Sequence, residues 1–245
     1  MNTTIYNALG GYFTMLERQS EVFLSEVGYN AEIKLGALID KFQDIGWIHT
    51  QSILQKLPKL NANIGFFVSD QKVQILKPTF LSDKLIIQSF ITNANRRKFT
   101  RLVKIFNNIN NLLATQIENA FAVDLLTGKL ASLPKDFPAS KIIDQNIKCP
   151  ILRNKVQPPL TANAKMQQYT VLGRDIDNYN HMNNARYLDL ISERVNQIKE
   201  ITVNYVKPAK EGMILDIARE LVDHKVFYKF MNQKQLLAKI QIILE

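Results

Sequence analysis

Short polar side chains crowd one stretch of the sequence, DIDNYNHMNNARYLDLI at residues 175–191. Asp177 and His181 stand four positions apart in it, just before a segment with helical periodicity. Asn183 or Asn184 alone could cap that helix, because one side-chain oxygen accepts hydrogen bonds from its first free N–H groups. The remaining carboxylate and imidazole are groups that commonly transfer protons in enzymes. They are therefore candidates for acid–base chemistry, although an Asn-rich turn can also be purely structural.

A helix and a series of strands must hold this stretch in place. Residues 33–54 carry apolar side chains at helical spacing and predict a long amphipathic helix. Segments rich in Ile, Val, Phe and Thr predict strands at 64–77, 83–108 and 111–126. The second half repeats this order, with predicted elements at 166–174 (strand), 184–197 (helix), 200–208, 213–221, 224–231 and 235–244 (strands). A leading strand, a helix and a meander of strands make an α+β unit with the sheet wrapped on the helix.

The two halves of the chain share short matching segments in the same order. VGYNAEIKLGALID (27–40) aligns without gaps on DNYNHMNNARYLDL (177–190). VQILKPTFLSDKLII (73–87) resembles VNYVKPAKEGMILDI (203–217). Matching segments that follow one another in the same order indicate an internal duplication.

Only the second half has titratable side chains at these two matched positions. In the gapless alignment, Val27 and Ala31 stand opposite Asp177 and His181. We therefore expect one active site per chain, with the first half as a structural partner that completes the binding pocket. The predicted organisation is an N-terminal extension at 1–20, a first domain at 21–133, a Pro-containing linker at 134–164 and a second domain at 165–245.

The composition excludes several classes of protein. The single cysteine, Cys149, cannot form an internal disulfide and fits a reducing cytoplasm. No run of about 18 apolar residues exists for a membrane span. Three scattered histidines and one cysteine give no metal-ligand spacing, so neither a metal nor another cofactor is expected.

The net charge of +9 favours an acidic partner. The densest basic patch is NRRKFTRLVK, which is predicted to form a strand and contains Arg96, Arg97, Lys98 and Arg101. It lacks the context of a known nucleic-acid-binding motif, so nucleic acid is not the expected partner. A solvated strand without any partner is the simplest alternative, and an acidic protein or a phosphate-bearing ligand is the other.

The motif around Asp177 resembles that of a known family. Asp-x-Asp-x-x-x-His-x-Asn-Asn-x-x-Tyr, at residues 175–187, looks like the signature of the hotdog-fold thioesterases. The two-unit layout is similar to that of the acyl-ACP thioesterases, which hydrolyse the thioester bond between an acyl group and acyl carrier protein (ACP). LGALIDKFQDIGWIH (35–49) resembles the matching helix of bacterial members and includes Gln43 and His49. The resemblance, over residues 21–245, implies two tandem hotdog domains, each an antiparallel sheet wrapped around one long helix.

The resemblance also implies a reaction, the hydrolysis of acyl-ACP to free fatty acid in fatty acid biosynthesis. Asp177 would act as base or orient a water molecule, and His181 would hydrogen-bond the water or the carbonyl. Tyr179 and Asn180 would assist them, and free N–H groups at the helix N-terminus would stabilise the oxyanion. The substrate-binding residues would be Asn183, Asn184, Gln43 and His49.

An acidic carrier protein would give the basic patch a function. Arg96, Arg97, Lys98 and Arg101 are therefore predicted to bind ACP, and the chain is expected to work in the cytoplasm as a monomer or homodimer.

Two positions depart from the family pattern. Tyr179 stands where plant-type members have Asn, and Pro208-Ala209 stands where relatives carry an acid, the nearest acid being Glu211. These departures favour, as one alternative, a catalytically weak acyl-binding homologue. An acyl-CoA thioesterase of the same fold is the other alternative.

Overall fold

One antiparallel sheet of eleven strands forms the framework in the computed structural model, which describes residues 4–9, 12–55, 63–135, 137, 139–149, 152, 155–158, 161 and 164–245. The strands are β1 (Thr4–Leu9), β2 (Tyr12–Glu21), β3 (Ile64–Ile75), β4 (Lys84–Ala94), β5 (Lys98–Asn107), β6 (Leu112–Asp124), β7 (Lys165–Thr170), β8 (Ile198–Tyr205), β9 (Ile214–Val222), β10 (Lys225–Asn232) and β11 (Gln235–Leu244). The helices are α1 (Leu35–Leu54), α2 (Ala139–Ile142) and α3 (Asn184–Asp189), with 3₁₀ turns at Leu24–Glu26, Tyr29–Ala31, Gly173–Asp175 and Val195–Gln197.

The sheet consists of two units joined edge to edge. Its strand order is β1-β2-β4-β5-β6-β3-β8-β11-β10-β9-β7, so β3 of the first unit (β1–β6 with α1) pairs with β8 of the second (β7–β11 with α3). Along this seam Asp70 pairs with Asn204 and Gln74 with Glu200. The predicted α+β class and the antiparallel pairing of the strands are confirmed, and the two units share one continuous sheet. The predicted strand at 83–108 is two strands, β4 and β5, which turn at residues 95–97.

The helix α1 is held by its apolar stripe. Leu38, Ile39, Phe42 and Ile45 recur at helical spacing and are at most 2% exposed. They belong to one hydrophobic core, to which both units contribute. The predicted first helix is thus confirmed, and burial of this stripe stabilises it although Lys34 provides no side-chain cap. Within the described residues, α1 and the other helices lack the long apolar run that a membrane crossing requires.

The second helix is much shorter than predicted. It was expected over 184–197, but α3 ends at Asp189 and the chain then follows the sheet. Ser192 donates its backbone N–H to the hydroxyl of Tyr228 at 3.0 Å, and Glu193 accepts hydrogen bonds from Arg219 and Tyr228. These contacts with β9 and β10 override the helical periodicity of the segment.

The predicted N-terminal extension contains the leading strand of the first unit. β2 pairs with β4 as β7 pairs with β9 in the second unit, so a boundary at residue 21 leaves that strand out. The described part of the predicted linker includes α2, whose Ile142 packs against Ile91. The predicted domain boundaries stay a prediction. Within the predicted extension and linker, the residues outside the described part are 1–3, 10, 11, 136, 138, 150, 151, 153, 154, 159, 160, 162 and 163.

Candidate active site

A cavity of 730 Å³ lies between α1, the strands of the first unit and the turn that precedes α3. This volume is in the range of small-molecule sites. Its walls include six large apolar side chains, those of Trp47, Phe66, Phe67, Phe121, Val123 and Leu130. On one side it is closed by the polar turn at residues 177–184. The polar stretch of the sequence therefore faces a mainly apolar cavity that the other unit supplies.

The carboxylate of Asp177 organises this turn. Its Oδ1 accepts the backbone N–H groups of Tyr179 at 2.9 Å and of His181 at 3.2 Å. The backbone N–H of Asp177 donates to the carbonyl oxygen of His181 at 2.8 Å. Asn180 adopts φ 61°, a left-handed conformation that Asn tolerates better than most residues. The local sequence thus folds into a tight loop that places Asp177 and His181 side by side on the cavity.

His181 is held in an apolar surrounding. Its ring centroid lies 5.6 Å from that of Phe67. Burial lowers the pKa of His181 below its ordinary value, Asp177 opposes this shift, and the charge of Lys210 adds to it. The buried Nδ1 has no hydrogen-bond partner within the described part of the chain. The imidazole is therefore neutral at pH 7 and able to accept a proton.

Asn183 and Gln43 meet across the two units. Oδ1 of Asn183 accepts a hydrogen bond from Nε2 of Gln43 at 3.1 Å and another from the backbone N–H of Ala185 at 2.8 Å. Since both contacts use the oxygen, the Nδ2 amide group of Asn183 remains a donor. Asn184 also lines the cavity, and its carbonyl oxygen accepts the hydroxyl of Tyr205 at 3.2 Å. The structure thus brings together three of the four predicted substrate-binding residues.

The fourth, His49, lies elsewhere. It is fully buried on α1, and its Nδ1 is 3.0 Å from Oγ of Ser89 on β4. It is not among the residues that line the cavity. The prediction that His49 binds substrate is therefore corrected: the periodicity of α1 turns this side chain towards the sheet.

Tyr179 and Asn180, predicted to be catalytic, have structural positions. The ring of Tyr179 packs on Phe67 at 4.8 Å and on Trp47 at 6.3 Å between centroids, and so forms part of the cavity wall. Burial raises the pKa of Tyr179, and the charge of Asp177 adds to this, so its hydroxyl stays protonated. Asn180 is exposed and contributes through its backbone conformation. Its neighbour Asn178 lines the cavity instead.

The predicted carrier-binding patch is divided between surface and core. Arg96 and Arg97 are exposed in the turn between β4 and β5, and Lys98 is half-buried. Arg101 is only 3% exposed and forms an ion pair with the equally buried Glu118 on β6. Its predicted role in carrier binding is corrected, because alternate residues of a strand share a face and Arg101 shares the inward face of β5 with Phe99 and Val103.

No carboxylate occupies the position where the family pattern has an acid, as far as the described residues show. Lys207, Pro208 and Lys210 line the cavity there. Glu211 is exposed and lies beside Gly173, where a Cβ would be 3.1 Å from its Oε1. No cluster of His, Cys, Asp or Glu among the described residues is placed to hold a metal ion.

The first unit has an equivalent turn, but in a different register from the gapless alignment. The backbone N–H of Gly28 donates to the carbonyl oxygen of Glu32 at 2.8 Å, as that of Asp177 does to His181. Gly28 and Glu32, one residue beyond Val27 and Ala31, are thus the structural counterparts. The alignment followed the shared Tyr-Asn pair, whereas the hydrogen bonds place the turn one position further on.

Several residues of the site were not found from the sequence. Trp47 and Phe67 form the aromatic wall against the turn, and Tyr205 reaches the site from β8. Arg101 and Glu118 are buried and also line the cavity. The burial of Arg101 could have been predicted from the alternation of side chains along a strand. Phe99, Val103 and Ile105 stand at alternate positions with Arg101 and therefore lie on the same face of β5. The other residues have no local signature, because they meet only when the two units pack.

Two family models match consecutive parts of the chain. The model for the acyl-ACP thioesterase N-terminal domain matches residues 14–140, and that for the acyl-ACP thioesterase C-terminal domain matches residues 159–243. A comparison with curated protein sequences finds no match.

Solved structures with the same two-unit fold are similar over nearly the whole chain. An acyl-ACP thioesterase from Bacteroides thetaiotaomicron superposes with a TM-score of 0.78 at 17% identity, covering 95% of this chain and 98% of that one. A 12:0-ACP thioesterase from Umbellularia californica gives a TM-score of 0.79 at 14% identity, covering 97% and 99%. At these identities the likeness establishes the fold, the predicted pair of hotdog units.

Proposed function

Because the chain belongs to the acyl-ACP thioesterase family and is therefore an acyl thioester hydrolase, we propose that acyl-ACP is its substrate and that Asp177 and His181 carry the reaction. One observation supports this assignment most strongly. The turn that holds both side chains closes a cavity of 730 Å³ whose other walls are largely apolar. An acyl chain fits such walls, since burial of its apolar surface is favourable, and its thioester would then lie at the polar turn.

The catalytic groups have distinct roles in this proposal. Oδ1 of Asp177 is occupied by the turn, so Oδ2 accepts the proton of the attacking water, which neutral His181 helps to orient. The water oxygen bonds to the carbonyl carbon, and the Nδ2 group of Asn183 donates to the oxyanion. The C–S bond then breaks, the sulfur takes up the proton, and the fatty acid and the free thiol leave. Gln43 is a positioning residue, because it fixes the amide of Asn183.

Exposed Arg96 and Arg97, with half-buried Lys98, are proposed to bind the carrier protein. Lys98 pairs across β5 and β6 with Phe121, which pairs with Phe67 on β3. Neighbouring strands are about 4.8 Å apart, so Lys98 lies roughly 10 Å across the sheet from Phe67. Phe67 is the residue whose ring contacts His181. Arg96 and Arg97 occupy the adjoining turn, and Arg96 donates to the carbonyl oxygen of Leu133 at 2.8 Å. We further propose that the chain acts in cytoplasmic fatty acid biosynthesis, as a monomer or homodimer.

Charge reversal tests both the substrate and the docking surface. The native protein should release thiol from acyl-ACP faster than from acyl-CoA of the same chain length. Arg96→Glu with Arg97→Glu should lower kcat/KM for acyl-ACP several-fold and leave acyl-CoA hydrolysis nearly unchanged. Added salt should cause the same selective loss, since exposed charges are screened within about 8–10 Å. Equal effects on both substrates would contradict carrier docking at this turn.

A catalytically weak acyl-binding protein is the second candidate function. It is favoured by the basic and proline side chains that line the cavity where the family pattern has an acid. Acyl-ACP that binds tightly but releases no thiol would support this alternative. Preferential turnover of acyl-CoA would instead support an acyl-CoA thioesterase of the same fold.

A further inference from the structure

A row of buried polar side chains crosses the sheet of the first unit beneath α1. Arg101 on β5 pairs directly with Glu118 on β6, and Glu118 pairs with Gln71 on β3. Directly paired residues share a face of the sheet, and all three are at most 3% exposed. These residues form the polar row.

The polar row connects the sheet with the helix and with the second unit. Nη1 of Arg101 is 2.5 Å from Oε1 of Glu118, and its Nη2 donates to Oγ1 of Thr50 on α1 at 2.5 Å. Nε2 of Gln71 donates to the hydroxyl of Tyr205 on β8 at 3.1 Å. The guanidinium group of Arg101 is thus fixed from both sides.

Arg101 closes the space between β5 and α1. A Cβ added to Gly46 would lie 2.7 Å from Nη1 of Arg101, so the guanidinium group rests directly against the helix backbone. Gly46 and Thr50 are one helical turn apart and both line the cavity, as do Arg101 and Glu118. From Gln43, which contacts the catalytic turn, to Thr50 the helix rises about 10 Å. The ion pair therefore stands one to two helical turns further along α1 than the contact with the catalytic turn.

Apolar groups lie next to the ion pair. The ring centroid of Phe99 is 4.8 Å from the guanidinium carbon of Arg101, and Ile91 pairs with Arg101 across β4 and β5. Phe99 and Ile91 belong to a second hydrophobic cluster together with Ile53, Ala120 and Ile142. Phe99 and Ala120 of this cluster also line the cavity, so the cluster adjoins the cavity beside the ion pair.

A hydrocarbon chain cannot extend past such a pair at low cost. Its end gains free energy from apolar contacts, and passing the pair would separate two buried charges, which is strongly unfavourable. The burial of such a pair is weak evidence for a role in stability, because buried ion pairs can often be replaced by apolar residues of similar volume without loss.

We propose that the Arg101–Glu118 ion pair is the end-stop of the acyl site and sets the upper limit of acyl chain length. This inference rests on the proposed function, in which the cavity holds the acyl chain. Arg101 and Glu118 are thus specificity-determining residues that act through the far end of the chain, away from the thioester.

The test replaces both charges at once, since removal of one partner alone would leave an unpaired buried charge. Arg101→Met with Glu118→Met should shift turnover towards longer saturated acyl-ACP substrates. The ratio of kcat/KM for long over short chains should rise about tenfold or more, the effect of one or more methylenes in an apolar pocket. Calorimetric binding of free fatty acids of increasing length should shift in the same direction. Thr50→Val removes the hydroxyl that accepts from Arg101 and donates to the carbonyl oxygen of Gly46 at 2.9 Å. It leaves the ion pair in place and should cause a smaller shift of the same sign.

The matched control is Arg219→Met with Glu193→Met, which neutralises an ion pair of the second unit (2.6 Å) outside the cavity lining. It should leave the chain-length profile unchanged. An unchanged profile in the folded Arg101/Glu118 variant, or the same shift in the control, would overturn the end-stop. If the double variant does not fold, an unchanged profile in Thr50→Val overturns it. Native protein that cleaves no acyl-ACP of any length would instead refute the proposed function.

Discussion

The turns that precede α1 and α3 have the same pattern of backbone hydrogen bonds and differ in their side chains. Lys34 donates its N–H to the carbonyl oxygen of Glu26 at 2.8 Å, and Asn183 donates to that of Asp175 at the same distance. Gly28 in the first turn corresponds to Asp177 in the second, and Glu32 corresponds to His181. The duplicated fold therefore supplies the turn twice, and the side chains decide where chemistry can take place.

Burial acts on both turns in the same physical way. It raises the pKa of Glu32, opposed by a hydrogen bond from the backbone of Asn196 and by Arg194, and it lowers the pKa of His181. Each residue therefore has its neutral form favoured. The surroundings differ, because Glu32 lines a separate cavity together with Arg186, Arg194 and Asp189. A titratable residue at this position of the turn can therefore contact an acyl chain only if the turn faces the apolar cavity. His181 meets this condition and Glu32 does not.

The largest difference between the two turns should appear on removal of their titratable groups. Asp177→Asn or His181→Ala should lower kcat for acyl-ACP by roughly 10²-fold or more, the scale of a lost acid or base. The double variant should be little worse than either single one, since residues that act as a unit are not additive.

The matched control for that comparison is Glu32→Gln, which changes the equivalent residue of the first turn and should leave thiol release unchanged. Circular dichroism would verify that each variant is folded. If the Asp177 and His181 variants retain full activity, the polar turn is structural and other residues carry the reaction.

A smaller contrast is expected between the residues that begin the two helices. Asn183→Ser keeps a good capping residue but removes the amide that faces the cavity. Loss of a hydrogen bond to a charged group costs about 1.5–3 kcal/mol, so kcat/KM should fall roughly 10- to 100-fold with little change in Tm. Lys34→Ser, at the start of α1, should leave kcat/KM unchanged. A loss of Tm in proportion to the loss of activity would show that Asn183 acts only as a cap.

The smallest effect concerns pH. Because the pKa of His181 is lowered, the acidic limb of kcat/KM should lie below the ordinary value of about 6.5. Lys210→Met should move that limb upwards by less than one unit, since exposed charges interact by about 0.2–1 kcal/mol. The group whose folded pKa is depressed loses its stabilising contribution as the pH falls, so Tm should also decrease below about pH 6.5. A limb above pH 6.5, or one unaffected by Lys210→Met, would contradict a catalytic role for neutral His181.

The sequence by itself determined the local features of this protein. The apolar stripe placed α1 within two residues of its observed start, and strand patterning found the segments of the sheet, because both depend on periodicities within one element. The polar stretch was found because its residue types exceed what one cap requires. The motif from Asp175 to Tyr187 then led to the family that the comparisons confirm.

Only the tertiary structure decided which of these side chains meet. It shortened α3 through contacts of Ser192 and Glu193 with distant strands, turned His49 towards Ser89, and moved the repeat register to Gly28 and Glu32. It also separated Arg101 from Arg96 and Arg97, although all belong to one basic run in the sequence. The physical reason is common to these cases: burial and pairing are set by residues far along the chain, and a strand turns neighbouring side chains to opposite faces. The contact of Gln43 with Asn183, and with it the candidate site, exists only because the two units share one sheet.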